Sequence, residues 1–86
     1  MYPDDEVANL NAAAVALSKK DLPDARKYLD KSNKQTAEYA NNNGIYYLLS
    51  GNQAQAIAEF TKAAQNGNEA ARHNLGEIEK AIKTKK

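Results

Sequence analysis

The sequence predicts an all-α fold of five helices arranged as an α-α solenoid. Three observations carry that expectation. Apolar residues recur at helical spacing through most of the chain. Residues that start and stop helices punctuate it at short intervals. The pattern of the first two helices returns about 31 residues later, a period typical of stacked helix-turn-helix units.

The first helix is expected to enter through Pro3, Asp4 and Asp5, whose carboxylates suit the positive end of a helix dipole. It runs from Glu6 to about Lys19 with an apolar stripe at Val7, Leu10, Ala14 and Leu17. Small residues at Ala8, Ala12, Ala13 and Ala16 allow a neighbour to come close. Lys19 and Lys20 turn the chain, Asp21 caps the second helix, and Pro23 fits its first turn.

The second helix buries Leu22, Ala25 and Leu29 and turns Arg26, Lys27, Asp30 and Lys31 to water. It is expected to reach about Ser32, with Asn33 as a left-handed terminator. Thr36 starts the third helix. Gly51 ends it, and Asn52 caps the fourth with Gln55 at the reciprocal capping position. The fourth buries Ala56, Ile57, Phe60, Ala63 and Ala64 and stops at Asn66 and Gly67. Asn68 caps the fifth, whose stripe is Ala71, Leu75, Ile78 and Ile82; the tail over residues 83–86 is expected to fray.

Residues 39–58 contain no Asp, Glu, Lys, Arg or His. A soluble chain normally carries charge on every exposed face, so this run predicts a helix with neighbours on more than one side. Gly44 sits inside that helix, where glycine is about 1 kcal/mol worse than alanine. It marks a close approach by another helix.

Eighty-six residues make a single domain. The net charge is +1 with both signs interleaved, which argues against an electrostatic drive toward nucleic acid or membrane. There is no cysteine, so disulfides and thiolate metal sites are excluded. No apolar run approaches the roughly 20 residues a membrane helix needs. The acidic opening MYPDDE is not a signal peptide. The chain reads as a piece of a larger protein, and abundant Asn and Lys without cysteine lean toward a bacterial, periplasmic setting.

Catalytic constellations are missing. His73 has no second histidine at ligand spacing, and a polar surface residue is its simpler reading. Asp4, Asp5, Glu6, Glu77 and Glu79 read as solvated charge. Ser18, Ser32 and Ser50 lie at helix ends without a base. Lys80, Lys83, Lys85 and Lys86 suit a helix C-terminus and lack the interleaved aromatics of a nucleic-acid surface. Tyr28, Tyr39, Tyr46 and Tyr47 are first of all packing residues, with Tyr46 the one best placed to anchor a ligand. No enzyme activity, cofactor or metal is expected.

Within the repeat, Asp21-Leu22-Pro23-Asp24-Ala25 falls on Asn52-Gln53-Ala54-Gln55-Ala56, Leu29 on Phe60, Leu17 on Leu48, Ala16 on Tyr47 and Ala13 on Gly44. Asn74-Leu75-Gly76 matches Asn42-Asn43-Gly44. Gly44, Tyr47, Gly51-Asn52, Ala56, Phe60 and Ala63 together resemble the tetratricopeptide repeat (TPR) pattern. Ala13, Asp21, Ala25, Tyr28 and Leu29 form a degenerate copy, with Ala16 for the aromatic and Lys20 for the turn glycine. Residues 62–76 also resemble the related Sel1-like repeats.

The resemblance implies a right-handed superhelix of about two and a half repeats: repeat one at about 5–33, repeat two at about 36–67, and a capping helix at about 69–83. It also implies a concave groove lined by first helices, which maps onto Leu10, Ala14 and Leu17, then Asn41, Asn42, Ile45 and Leu49, then His73, Asn74 and Glu77. Asn42 matches an asparagine that contacts ligand backbone in chaperone-binding members. The basic clamp positions of those members hold Leu10, Ala70 and Asn74 here, so acidic tails are not the expected ligand. The function implied is a non-enzymatic module that binds a peptide or protein segment. The alternative is a spacer or oligomerisation repeat whose groove is filled by neighbouring repeats or a second copy.

Overall fold

In the computed structural model, residues 6–84 are described, with side chains over 8–83. The helices are α1 (Glu6–Ser18), α2 (Leu22–Asp30), α3 (Ala37–Leu49), α4 (Gln53–Gln65) and α5 (Glu69–Thr84). All regular structure among the described residues is helical. The expected entrance at Pro3, Asp4 and Asp5 and the end of the tail at Lys85 and Lys86 lie outside them.

Three of the four connections use one device. Lys20, Gly51 and Gly67 take positive φ, at 59°, 89° and 89°. The residue after each donates its N–H five residues back: Asp21 to the Ala16 carbonyl (2.8 Å), Asn52 to Tyr47 (2.8 Å) and Asn68 to Ala63 (3.0 Å). This is the Schellman motif, which needs a left-handed residue to satisfy the last carbonyls of a helix. The same Asp or Asn then caps the following helix. Asp21 Oδ1 accepts from Asp24 N (3.2 Å), Asn52 Oδ1 from Gln55 N (3.2 Å) and Asn68 Oδ1 from Ala71 N (2.8 Å). One residue thus closes one helix and opens the next, so the chain reverses within three residues.

The α2–α3 connection is different. Helix α2 ends at Asp30 rather than near Ser32, and the Ser32 hydroxyl folds back onto the Tyr28 carbonyl at 2.8 Å. Asn33 is not left-handed; Lys20 is the only non-glycine with positive φ among the described residues. Asn33 Oδ1 instead accepts from Gln35 N at 2.9 Å, and Thr36 caps α3 through Tyr39 N at 3.1 Å.

The core is built mainly from small residues around a few large ones. Ala13, Ala25 and Leu29 are fully buried in the first hairpin; Ala56, Phe60 and Ala63 are fully buried in the second. Ala25 and Ala56, and Leu29 and Phe60, are each 31 positions apart in the sequence. Burying Leu29 and Phe60 stabilises the fold by about 1.5–3 kcal/mol each. Helix α5 closes the second cluster with Ala71 and Ile78, while Ile82, further along its stripe, is exposed. The molecule is elongated, 49 × 26 × 16 Å.

Helix α3 is the centre of this arrangement. Four consecutive residues meet four different helices. Asn41 Oδ1 accepts from Asn74 of α5 at 3.0 Å. Asn42 Nδ2 donates to the Leu10 carbonyl of α1 at 3.2 Å. Asn43 Oδ1 accepts from Arg26 of α2 at 3.2 Å. Gly44 lies against Phe60 of α4. Successive residues point about 100° apart around a helix, so these four sweep most of its circumference. Charge is absent here because no face of this segment is turned to water, and tyrosine, alanine, asparagine and glycine fill positions 39–44.

Arg26 does not face water as expected. Its side chain is 29% exposed and joins α2 to α3. Nε donates to Asp30 at 3.0 Å, Nη1 to Asn43, and Nη2 to the Tyr39 hydroxyl at 3.4 Å, while the guanidinium lies 5.0 Å above the Tyr46 ring. Burial weighs against its charge, but the Tyr39 hydrogen bond and the Asp30 carboxylate outweigh that effect, and its pKa stands above the ordinary arginine value.

Candidate functional site

Helices α1 and α3 lie side by side, and a groove of about 560 Å³ runs between them. That volume lies within the range of small-ligand and peptide sites. Its apolar floor is Leu10 and Ala14 of α1. Its rim is almost entirely amide: Asn11, Asn33, Asn41, Asn42 and Asn68, with Thr36 and Glu38. The cap residues of α3 and α5, Thr36 and Asn68, stand on it because both helices begin at this edge.

Four of these amides are held by one end. Asn33, Asn41 and Asn68 each use the side-chain oxygen internally, which leaves Nδ2 open. Asn42 uses Nδ2 and leaves Oδ1 open. Asn41 and Asn42 are both only 9% exposed, so their orientation is fixed by packing as well as by hydrogen bonds. The hydrogen bonds fix the orientation of these four groove-lining amides, which lowers the entropic cost of binding.

Among the described residues, Glu38 is the one ionisable side chain lining the groove. The nearby Lys34 is turned away, its Nζ donating to the Asp30 carbonyl at 3.1 Å and lying 5.7 Å from the Tyr39 ring centre. The local charge is negative, which disfavours acidic side chains in a ligand.

Of the residues mapped from the sequence, Leu10, Ala14, Asn41 and Asn42 line this groove. Asn74 stands behind it as the partner that orients Asn41. Leu17 does not line it. It is 4% exposed and packs with Ala16 and Ala25, because its direction on α1 points at α2. Ile45 is half-buried and packs against two core clusters at once, so it is a wedge between the hairpins rather than a free contact. Leu49 is exposed at the far end of α3, and His73 and Glu77 are exposed on α5, where Glu77 pairs with Lys80 at 3.6 Å. Tyr46 is held between Arg26 and the edge of Tyr47, with ring centres 5.7 Å apart. That contact accounts for it as a packing residue.

Sequence reasoning missed Asn11, Asn33, Thr36, Glu38 and Asn68 as groove residues. The available signal was topological. If α1, α3 and α5 run the same way, the caps that start α3 and α5 share one edge of the surface they form.

Among the described residues no group of three or more His, Asp or Glu stands together as a metal site, and no helix is long and apolar enough to cross a membrane. Comparison with protein-family models, with curated proteins and with solved structures returned no match. The class defined by the fold and the site is an all-helical chain with an amide-rimmed groove between its first and third helices.

Proposed function

We propose that this chain is a TPR-like, right-handed solenoid module that binds an extended peptide segment of a partner protein, without catalysis, in the groove between α1 and α3. The observation that carries this reading is the set of pre-oriented amides. An extended backbone offers alternating carbonyl and N–H groups, and the groove is lined by the amides of Asn33, Asn41, Asn42 and Asn68, a side-chain type that can both donate to and accept from it. Leu10 and Ala14 supply an apolar floor for one or two side chains. The negative Glu38 favours neutral or basic segments over acidic ones.

The test is selection of linear peptides from a random displayed library, followed by mapping on the labelled domain by amide NMR shifts. Shifts centred on Leu10, Asn11, Ala14 and Asn41 are expected. Ala14→Arg, at an exposed position, is expected to abolish binding while helicity is kept. Shifts centred on another face, or binding unaffected by Ala14→Arg, reject the groove.

A spacer or oligomerisation role is the second reading. It draws on apolar side chains left uncovered outside the groove: Val15, Leu48, Leu49 and Ile82.

A further inference from the structure

The groove between α1 and α3 has its two walls on two different bodies. Leu10 and Ala14 belong to the α1–α2 hairpin, whereas Thr36, Asn41 and Asn42 belong to the α3–α4 hairpin that α5 closes. Helix α1 packs more extensively on α2, and α3 on α4, than the two hairpins pack on each other. The joint between the bodies is residues 31–36, the one connection built without a left-handed residue, and Asn33 within it also lines the groove. The width of the groove therefore depends on the angle between the hairpins.

Two sets of contacts hold that angle. On the groove side, Asn42 Nδ2 donates to the Leu10 carbonyl at 3.2 Å, and Ile45 packs against buried clusters of both hairpins. On the other side stands Arg26, whose Nη1 donates to Asn43 Oδ1 at 3.2 Å and whose Nη2 donates to the Tyr39 hydroxyl at 3.4 Å. Asn43 stands about 200° round α3 from the groove residue Asn41. Arg26 is not among the described residues that line the groove. Apolar contact between the hairpins is non-directional and lets them turn on each other. A planar guanidinium bonded through two N–H groups fixes a direction, and its seat over the Tyr46 ring fixes the plane.

We propose that Arg26 is a positioning residue for the groove. By clamping α2 to the far side of α3, it holds the two hairpins at one angle and keeps Asn41 and Asn42 at a fixed separation from Leu10 and Ala14. Without the clamp, the α1–α2 hairpin turns about Ile45 and the 31–36 connection, and the groove spreads over a range of widths. Only part of that range fits a given peptide, so the apparent affinity falls by the fraction that still fits. This effect on affinity rests on the peptide-binding reading; the fixed angle between the hairpins does not.

Residual dipolar couplings of the whole, weakly aligned chain test the angle without any ligand. In the wild type, couplings from α1–α2 and from α3–α5 are expected to fit one common alignment. In Arg26→Ala they are expected to need two, while each body still fits its own. A peptide selected on the wild-type chain from the displayed library is then titrated into both, and Arg26→Ala is expected to bind it about three- to tenfold more weakly. Asn43→Ala removes the acceptor of Nη1 and is expected to act in the same direction; it takes the place of Arg26→Ala should circular dichroism show that variant to lose helicity. One common alignment in the variant, or couplings that no longer fit within α1–α2 alone, overturns the clamp. An unchanged affinity in a variant whose hairpins have separate alignments overturns its effect on the groove. A library that yields no peptide rejects the peptide reading, and the couplings still decide the clamp.

Discussion

Gly44 of α3 and Phe60 of α4 stand so close that a Cβ on Gly44 would lie 2.7 Å from both Cδ1 and Cε1 of the ring. Phe60 is fully buried, so the ring has no open space to retreat into. Gly44→Ala gains about 1 kcal/mol of helix propensity and loses about 1–3 kcal/mol to overpacking. A net loss is expected, larger for Gly44→Leu. The same change at Gly76 meets nothing and is expected to raise stability by about 1 kcal/mol. Thermal melts of the two alanine variants should move in opposite directions. Equal shifts would reject the close packing at Gly44.

Lys20 occupies the left-handed position that Gly51 and Gly67 fill in the equivalent turns. A side chain there costs about 1–2 kcal/mol, because Cβ crowds the following carbonyl. Lys20→Gly is expected to stabilise the fold by about 0.5–1 kcal/mol after the greater freedom of glycine in the unfolded chain is deducted. Gly51→Ala should destabilise it, although nothing stands within 4 Å of that Cβ. Chemical denaturation of the two variants decides the point.

Arg26 binds Asp30, Asn43, Tyr39 and the Tyr46 ring with one planar group. An ammonium cannot reproduce that fork. Arg26→Lys is therefore expected to lose most of what Arg26→Ala loses, on the order of 1–2 kcal/mol given partial exposure. The folded pKa is raised, so the contribution is complete below the unfolded pKa and is lost only as pH climbs through the folded one. The Arg26 contribution, taken as the difference between wild type and Arg26→Ala, should stay constant from neutral to moderately alkaline pH. A decline within that interval would contradict the assignment.

Asn9 is 6% exposed, and its Nδ2 has no hydrogen-bond partner among the described residues. It stands 31 positions before Ala40, which is also buried. An unmet buried donor costs about 1–3 kcal/mol, so Asn9→Leu, similar in shape, is expected to raise the melting temperature. A fall would show that the amide is satisfied in solution.

Most of the helical framework was legible from local chemistry. Asp21, Thr36, Asn52 and Asn68 cap the helices they were expected to cap, because a cap is decided within four residues. Gly51 and Gly67 stand at left-handed ends for the same reason. The close approach at Gly44 was also readable, since a mid-helix glycine asks for an explanation. Asn33 was misread because its side chain satisfied Gln35 N without requiring positive φ. Arg26 was misread because helical periodicity gives its angle on α2 but not the position of α3 beside it.

The sequence by itself determined that there are five helices and which residues cap α2, α3, α4 and α5, because a cap rests on contacts within one helical turn; it did not place the end of α2 or the turn at Asn33. The absence of charge over residues 39–58 predicted an enclosed segment, but only its first part is enclosed: residues 39–44 are buried, whereas residues 48–55, equally uncharged, are exposed. Only the tertiary structure decided that each of the four residues Asn41–Gly44 meets a different helix. It also decided which end of the Asn33, Asn41, Asn42 and Asn68 amides is bonded inside the fold. An amide can donate or accept on any face of a helix, and its choice is settled only when distant segments have been brought within about 3 Å of it.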